Sequence, residues 1–395
     1  MSCNIEYKEL NTYVSASICY GIVKTGVPQE TGVFAVEVKD IQNGKIDIDS
    51  VKKTTIEIDS EYERSRLKTG DIVIAIRGTI GRVAIVPESL NGANITRDVA
   101  RIRVDNIYKR DYIYYYLTSK VAEEHLRNNN IGQAVKGINI KDLKKLPIYI
   151  PDNVEEIKKI NDIFKTSNNL IEKTKNLIDE KMQLKKGLMQ KLLTGEVRFK
   201  EFNCEWLNIK LGDILHEPKK EKVKNPENYE LLTVKLHCQG IAKSGKFPNV
   251  TENGRPYYIV DNGELLIGRQ NFHNGGFGIS PDSTEIFVTS NAITHLTVKD
   301  NLCNLKFIEY YFSQYNFYKR IGYLIGGTGQ KEISKKEFNN IKINLPSTKE
   351  QGKILKVLSL SDIEIKLLEK DLFEYQEQKK GLMQKLLTGK VRVNI

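Results

Sequence analysis

The sequence predicts an α+β protein in which two mixed α/β domains are joined by two long antiparallel coiled-coil helices, with a pseudo-twofold internal repeat. The main observation is a 14-residue segment, 185–198, that recurs at 379–392 with thirteen identical residues. Each copy ends a long stretch of helical periodicity, and each stretch follows a segment with short, strand-like apolar runs. A duplication with a period of 194 residues indicates two copies of one large structural unit rather than a solenoid.

Length and composition favour a globular protein of two or three domains. The chain has 395 residues, is 40% hydrophobic and contains no apolar run close to the roughly 20 residues of a membrane span. We therefore expect a soluble, cytoplasmic protein. The five cysteines are widely spaced and form no CxxC pair, so we expect reduced thiols. The net charge of +11 would attract polyphosphate or an acidic membrane surface.

The repeat divides the chain into a first mixed domain (1–150), a first long helix (151–198), a second mixed domain (199–346) and a second long helix with a C-terminal tail (347–395). Weaker similarities support this division. The segment from Gly132 to Pro151 aligns without gaps to the segment from Gly327 to Pro346, and GDIVIAIRG from Gly70 resembles GELLIGRQN from Gly263.

Both long helices have predicted start and stop signals. Asp152 and Ser347 follow prolines and are predicted N-caps, and each precedes a glutamate three residues later, Glu155 or Glu350, as in a capping box. Glycines at 195 and 389 are predicted stops. The helices between these signals would each be about 60 to 65 Å long.

An apolar stripe at spacings of three, four or seven residues follows each helix. The first contains Ile157, Ile160, Phe164, Ile171, Ile178, Leu184, Leu188 and Leu192, and the second Leu355, Leu358, Leu368, Leu372, Tyr375, Leu382 and Leu386. Two such stripes would bury each other as an antiparallel pair. The alternative is two surface helices that pack separately on their own domains.

The duplicated helix ends contain matching apolar and basic residues. We predict that they dock a partner protein through Lys185, Leu188, Met189, Leu192, Leu193, Lys379, Leu382, Met383, Leu386 and Leu387. The alternative is that these side chains close the coiled coil internally. Identity that extends to the polar residues Gln190 and Gln384 favours docking.

The two mixed domains, in contrast, match only at scattered framework positions. Identical surfaces suit identical partners, whereas different domains on matched supports suit two different ligands of the same kind. Two unlike DNA half-sites are such a pair of ligands.

In the first domain, arginines alternate with apolar residues in a predicted strand, which would project them from one face. The predicted DNA-binding residues are Arg77, Arg82, Arg97, Arg101 and Arg103. Arginine combines phosphate contact with bidentate hydrogen bonding to guanine. The alternative is a solvated sheet face.

In the second domain, the predicted DNA-binding residues lie in the loop 269–274. They are Arg269, Gln270, Asn271 and His273, where amides able to pair with adenine adjoin glycines that permit close approach. Lys136 and Lys331, which correspond in the two halves, complete the set. A lysine run at 219–224 would contact phosphate or solvent.

We find no catalytic motif. Asn225-Pro226-Glu227 does not fit the adenine-methylase motif, no GxGxxG or Walker loop occurs, and the scattered histidines argue against a metal site. A nuclease-like Glu-x-Lys at Glu156 is better explained as capping and surface charge. We therefore expect a non-catalytic chain without a cofactor.

In combination, these features resemble the specificity subunit of type I restriction-modification systems over essentially the whole chain. The resemblance depends on the segments Ile150-Pro151 and Leu345-Pro346 that open the helices, the duplicated KKGLMQKLLTG, the Gly-Asp/Glu strand starts at Gly70 and Gly263, and Trp206 with Leu211-Gly212-Asp213.

The resemblance implies two target recognition domains that bind a bipartite, asymmetric sequence in double-stranded DNA, with the helices setting the gap between half-sites. It also implies assembly with two modification subunits, which methylate adenine using S-adenosylmethionine, and with restriction subunits that use ATP. Neither cofactor is expected on this chain. The alternatives are a coiled-coil scaffold that binds protein and an RNA-binding adaptor.

Overall fold

The computed structural model describes residues 6–128, 137–249, 255–299, 302–324 and 332–395. The chain divides into two compact units. Unit 1 comprises residues 1–176 and 369–395, and unit 2 comprises residues 177–368. Each unit therefore contains one mixed domain and parts of both long helices.

The first half of the chain contains eleven strands and five α-helices among its described residues. The strands are β1 (Lys8–Glu9), β2 (Ala16–Tyr20), β3 (Val33–Val36), β4 (Ile41–Gln42), β5 (Lys45–Ile46), β6 (Lys52–Thr54), β7 (Ile72–Ala75), β8 (Val83–Ile85), β9 (Asn94–Ile95), β10 (Val99–Arg103) and β11 (Pro147–Ile148). The helices are α1 (Ile56–Ser60), α2 (Ile107–Leu117), α3 (Lys120–Asn128), α4 (Ile140–Lys144) and the long α5 (Val154–Thr194).

The second half contains ten strands and five α-helices within the ranges described. The strands are β12 (Leu207–Lys210), β13 (Leu215–His216), β14 (Glu230–Val234), β15 (Ile241–Lys243), β16 (Tyr257–Val260), β17 (Leu265–Gly268), β18 (Phe277–Ile279), β19 (Phe287–Ser290), β20 (Ile293–Val298) and β21 (Lys342–Leu345). The helices are α6 (Leu211–Ile214), α7 (Leu305–Phe312), α8 (Tyr315–Leu324), α9 (Lys335–Asn340) and the long α10 (Thr348–Leu386).

The strand orders confirm that the two mixed domains share one fold. The central antiparallel sheet has the order β2-β10-β7-β8 in unit 1 and β13-β20-β17-β18 in unit 2. In each unit a second sheet contains one parallel strand pair, β3 with β9 in unit 1 and β14 with β19 in unit 2. The short pairs β1-β11 and β12-β21 also correspond. The sequence repeat is therefore a structural repeat.

The Gly-Asp/Glu strand starts have a structural role in both units. Gly70 and Gly263 have φ angles of 87° and 75°, which favour glycine. The buried Asp71 carboxylate accepts a hydrogen bond from the Lys68 backbone N–H at 2.8 Å, and Glu264 accepts one from Asp261 at 3.2 Å. The acidic residue thus fixes the turn that leads into β7 or β17.

The predicted N-cap of α10 is confirmed, whereas that of α5 is wrong by one residue. The Ser347 hydroxyl accepts a hydrogen bond from the Glu350 N–H at 3.3 Å. In α5 the cap is Asn153, whose side-chain oxygen accepts one from the Glu155 N–H at 2.8 Å. Asn153 lies 194 residues before Ser347, so the helices follow the period of the repeat, while the preceding prolines are offset by one residue.

The predicted antiparallel packing of the long helices occurs within each unit. In unit 1, the start of α5 and the end of α10 share a core that contains Ile157, Phe164 and Met383. In unit 2, the end of α5 and the start of α10 share a core that contains Leu192 and Leu358. The predicted stripe is wrong at Leu184, which is 56% exposed.

The predicted stops are also confirmed, since Gly195 and Gly389 have φ angles of 77° and 71°. Among the residues described, no helix is both long and apolar enough to cross a membrane. The four described cysteines, Cys19, Cys204, Cys238 and Cys303, are free thiols.

Candidate nucleic-acid interface

Two of the predicted DNA-binding arginines lie in the interior of unit 1. Arg101 and Arg103 are on β10, which is paired on both sides, with β2 and β7. Arg101 is only 3% exposed and donates to the Ser17 carbonyl at 2.9 Å. Arg103 donates to both carboxylate oxygens of the buried Asp71 at 2.7 Å, and this hydrogen bonding raises the pKa of Arg103. The prediction that both arginines project from an exposed face is wrong, because Arg101 is buried and the Arg103 guanidinium is held by the buried Asp71 carboxylate.

The arginines just outside the strands remain exposed. Arg77 follows β7, Arg97 precedes β10, and each side chain is 52% exposed. Both approach the Asp98 carboxylate, at 3.7 and 3.6 Å. These long ion pairs on exposed groups contribute little to stability and leave both guanidinium groups accessible to an anion. Arg82 is half-buried, and its Nη1 donates to the carbonyls of Val38 and Ile41 at 3.4 and 3.3 Å.

Arg97 also lines a cleft with basic residues that the sequence analysis did not single out. The cleft has a volume of about 560 Å³ and includes Lys24 and Lys39. Lys39 forms an ion pair with Glu37 at 2.7 Å, which raises the pKa of Lys39 and keeps it charged. This surface of unit 1 therefore brings three basic side chains to one cleft, where Glu37 and Asp98 pair with Lys39 and Arg97.

The predicted loop of unit 2 is a short 3₁₀ helix, Arg269–Asn274. Phe272 is fully buried against Phe277 and Phe312, which anchors the turn. Gln270 and Asn271 are exposed. A polar, exposed pair on a buried aromatic anchor is well placed to contact a ligand.

The other two predicted residues of this loop are more constrained. Arg269 donates to the Asn291 carbonyl at 3.1 Å and forms an ion pair with Glu332 at 2.8 Å. His273 is half-buried. Arg269 also lines a cleft of about 570 Å³ with His216 and Lys299.

The candidate loops occupy equivalent positions in the two mixed domains. One follows β7 and the other follows β17, which are the same strand of the repeated sheet. The Ile138 N–H donates to the Ile76 carbonyl at 2.7 Å, and the corresponding Ile333 N–H to the Arg269 carbonyl at 3.5 Å. Arg77 of unit 1 thus corresponds to Gln270 of unit 2. The fold presents different side chains at one repeated position.

Lys136 and Lys331, the remaining predicted DNA-binding residues, lie outside the described residues. The lysine run 219–224 is only partly available to a ligand. Burial lowers the pKa of Lys220, which donates to the Ile293 carbonyl at 2.7 Å and lies over the Tyr258 ring.

The apolar residues of the duplicated helix ends do not form the exposed patch that we expected. Leu192 and Leu193 are buried in the core of unit 2, and Met383, Leu386 and Leu387 in the core of unit 1. Leu188, Met189 and Leu382 are half-buried against these cores. The alternative of internal closure therefore describes the buried side chains, and the surface that remains for a partner consists of the polar residues between them and the half-buried apolar ones. Lys185 and Lys379 are half-buried.

No group of three or more histidine, cysteine, aspartate or glutamate side chains that could hold a metal ion occurs in the described part of the chain. The functional candidates that remain are the loop region of unit 1, which carries arginines, the loop region of unit 2, which carries amides, and the duplicated helix ends.

Comparison with known proteins identifies relatives with the same architecture. Residues 29–180 and 203–374 match the family model described as "Type I restriction modification DNA specificity domain". The putative type I restriction enzyme MjaX specificity subunit of Methanocaldococcus jannaschii is 28% identical over 98% of this chain and 94% of that protein. The type I restriction enzyme EcoBI specificity subunit of Escherichia coli is 30% identical, and the alignment covers 46% of this chain and 39% of that protein.

Solved structures show the same fold. The S subunit of a type I restriction-modification system from M. genitalium covers 98% of this chain and 97% of its own, with a TM-score of 0.57 and 17% identity. The HsdS subunit from Thermoanaerobacter tengcongensis has the same coverage and identity, with a TM-score of 0.51. The similarity to each structure extends over both mixed domains and both long helices.

Proposed function

We propose a function from one premise: this chain belongs to the type I restriction-modification DNA specificity family, whose model matches most of its length in two copies. On this premise, each mixed domain is a target recognition domain. The chain would bind a bipartite, asymmetric sequence in double-stranded DNA, with one half-site for each domain.

The observation that carries the proposal is the equivalence of the loops after β7 and β17. The two domains share a sheet topology, yet the position held by Arg77 in unit 1 is held by Gln270 in unit 2. Arginine pairs best with guanine and an amide with adenine. A repeated frame that presents different hydrogen-bonding groups at one position is what recognition of two unlike half-sites requires.

The rest of the assembly follows from the family. We propose that the duplicated helix ends recruit two modification subunits, that restriction subunits join the complex, and that S-adenosylmethionine and ATP bind those partners. This chain would then be a non-catalytic subunit, and its long helices would set the gap between half-sites.

The test is a domain exchange. Residues 1–150 are replaced by the corresponding domain of another member of the family, and modified adenines are mapped in cells that carry the whole system. We expect one half of the methylated sequence to change and the other half and the gap to remain. A change in both halves, or in neither, would refute the assignment of one half-site to each domain.

A further inference from the structure

A half-buried lysine in unit 2 is neutralised by a carboxylate of the same unit. Lys185, at the start of the duplicated segment, forms an ion pair with Asp362. The Tyr310 hydroxyl donates to the same carboxylate, and the Lys185 ammonium lies 5.5 Å from the centre of the Tyr310 ring. The three side chains form a polar cluster in which the carboxylate balances the charge of the lysine.

The repeat places the equivalent residues along one cleft of unit 1, with one chemical difference. Lys379 corresponds to Lys185, and Asn168, 194 residues before Asp362, takes the place of the carboxylate. Burial raises the pKa of the Tyr115 hydroxyl, which lines the same cleft as Asn168, to about 12. An amide carries no charge, so Asn168 cannot neutralise the lysine.

Lys379 has no hydrogen bond or ion pair with any described residue. It lines a cleft of about 840 Å³ in unit 1. Burial is the main cause that lowers the pKa of Lys379, and the positive charge of Lys175 lowers it further. Of the other lysines that line this cleft, Lys45 pairs with Glu172 at 2.8 Å and Lys380 with Glu377 at 2.9 Å, whereas Lys120 and Lys175 are exposed. A partly desolvated ammonium beside a like charge is stabilised when an anion binds it.

We propose that this cleft binds a carboxylate side chain of a partner protein, which supplies to Lys379 the charge that Asp362 supplies to Lys185. A carboxylate is favoured because a carboxylate holds the equivalent position in unit 2, where Asp362 pairs with Lys185. Ile171 lies in the same lining and offers an apolar contact to a protein side chain. The inference rests on the proposed function, in which this chain assembles with modification subunits.

The test uses the full chain and the modification subunit of the same system, with affinity measured by calorimetric titration. Lys379→Gln removes the cation, and we expect it to weaken assembly at least about tenfold. Asn168→Asp installs the unit 2 arrangement, so an internal carboxylate should neutralise Lys379 and also weaken assembly, while the melting temperature stays the same or rises. Lys380→Gln is the matched control. Its lysine lines the same cleft but is already paired, so we expect less than a twofold change.

The outcomes separate this inference from the proposed function. If the wild-type chain assembles and both Lys379→Gln and Asn168→Asp assemble equally tightly, the inference is wrong and the proposed function stands. If both variants assemble normally but bind duplex DNA more weakly, the ligand is a phosphate and the inference is also wrong. If the wild-type chain binds no modification subunit, the proposed assembly itself fails, and the inference fails with it.

Discussion

Arg392 and Glu156 form a two-point ion pair in unit 1, with Nε to Oε1 at 2.6 Å and Nη2 to Oε2 at 2.5 Å. Arg198 and Glu350 form the same pair in unit 2, at 2.9 and 2.8 Å. Each pair connects the segment after one long helix to the first turn of the other. The carboxylates are buried, with Glu156 only 1% exposed, so the interpretation of Glu156 as surface charge was wrong.

The first prediction concerns the stability that these pairs provide. Glu350→Gln keeps the shape of the side chain but removes the charge that Arg198 and the Trp206 indole N–H contact. We expect the free energy of unfolding to fall by about 2 kcal/mol, the usual range for a hydrogen bond to a charged group. Urea denaturation measures this change.

The control is Glu364→Gln, since Glu364 is half-exposed and pairs with Lys181 at 2.6 Å. Exposed pairs contribute about 0 to 1 kcal/mol, so this variant should be close to wild type. An equal drop in stability for both variants would show that burial does not strengthen the Arg198–Glu350 pair.

The second prediction concerns Arg103, which we assign a structural role. Arg103→Ala would leave the buried Asp71 carboxylate without its cation, which costs about 3 kcal/mol or more. We expect a large drop in melting temperature with an unchanged target sequence in the fraction that folds. A normal melting temperature together with an altered target sequence would restore Arg103 as a base-contacting residue.

The third prediction concerns the exposed arginines, Arg77 and Arg97. Replacing both with alanine should weaken DNA binding and reduce the slope of log affinity against log salt by about 1 for each phosphate that is no longer neutralised. Their long ion pairs to Asp98 predict little change in stability. Lys8→Gln, at another exposed and weakly paired cation of unit 1, is the control for net charge. Equal effects of the control on affinity would indicate that only net charge matters.

The repeat and the long helices could be predicted because their signals are local. Thirteen identical residues define the period, and Ser347 caps the helix that it immediately precedes. The burial of the β10 arginines could not be predicted from the sequence. Alternation of arginine with apolar residues is the same for an edge strand and for a central one, and the partner of Arg101 is the Ser17 carbonyl, 84 residues away.

The candidate interface could be predicted only in part, because some of its residues are neighbours in sequence and others are not. The loop 269–274 was identified from its composition, and the structure places Gln270 and Asn271 on its exposed side. Lys24 and Lys39 join Arg97 only because segments distant in sequence meet at one cleft. The sequence does contain the replacement of Asp362 by Asn168, but its meaning depends on knowing that Asp362 contacts Tyr310 and Lys185 and that Asn168 lines one cleft with Tyr115 and Lys379.

The fourth prediction concerns the reactivity of the cysteines. Burial raises the pKa of the Cys238 and Cys303 thiols to about 11. The thiolate is the reactive form, so at pH 8 roughly one thiol in a thousand is ionised, and the alkylation rate should rise about tenfold per pH unit until pH 11. Mass spectrometry after timed iodoacetamide treatment should find the exposed Cys204 modified first. Modification of Cys303 at the same rate at pH 8 would contradict the burial of this thiol.

The fifth prediction concerns base reading by unit 2. Gln270→Ala and Asn271→Ala remove exposed amides, while the buried Phe272 continues to anchor the turn, so the melting temperature should not change. An amide that contacts adenine at two points contributes about 1 to 3 kcal/mol of discrimination between bases. Each variant should therefore relax one position of a single half-site, which mapping of methylated adenines would show as several bases accepted where one was required. Ser283, in a segment of unit 2 outside this loop, gives the control Ser283→Ala, for which we expect the wild-type target. Relaxation in both half-sites, or an unchanged target in both amide variants, would mean that this loop does not contact bases.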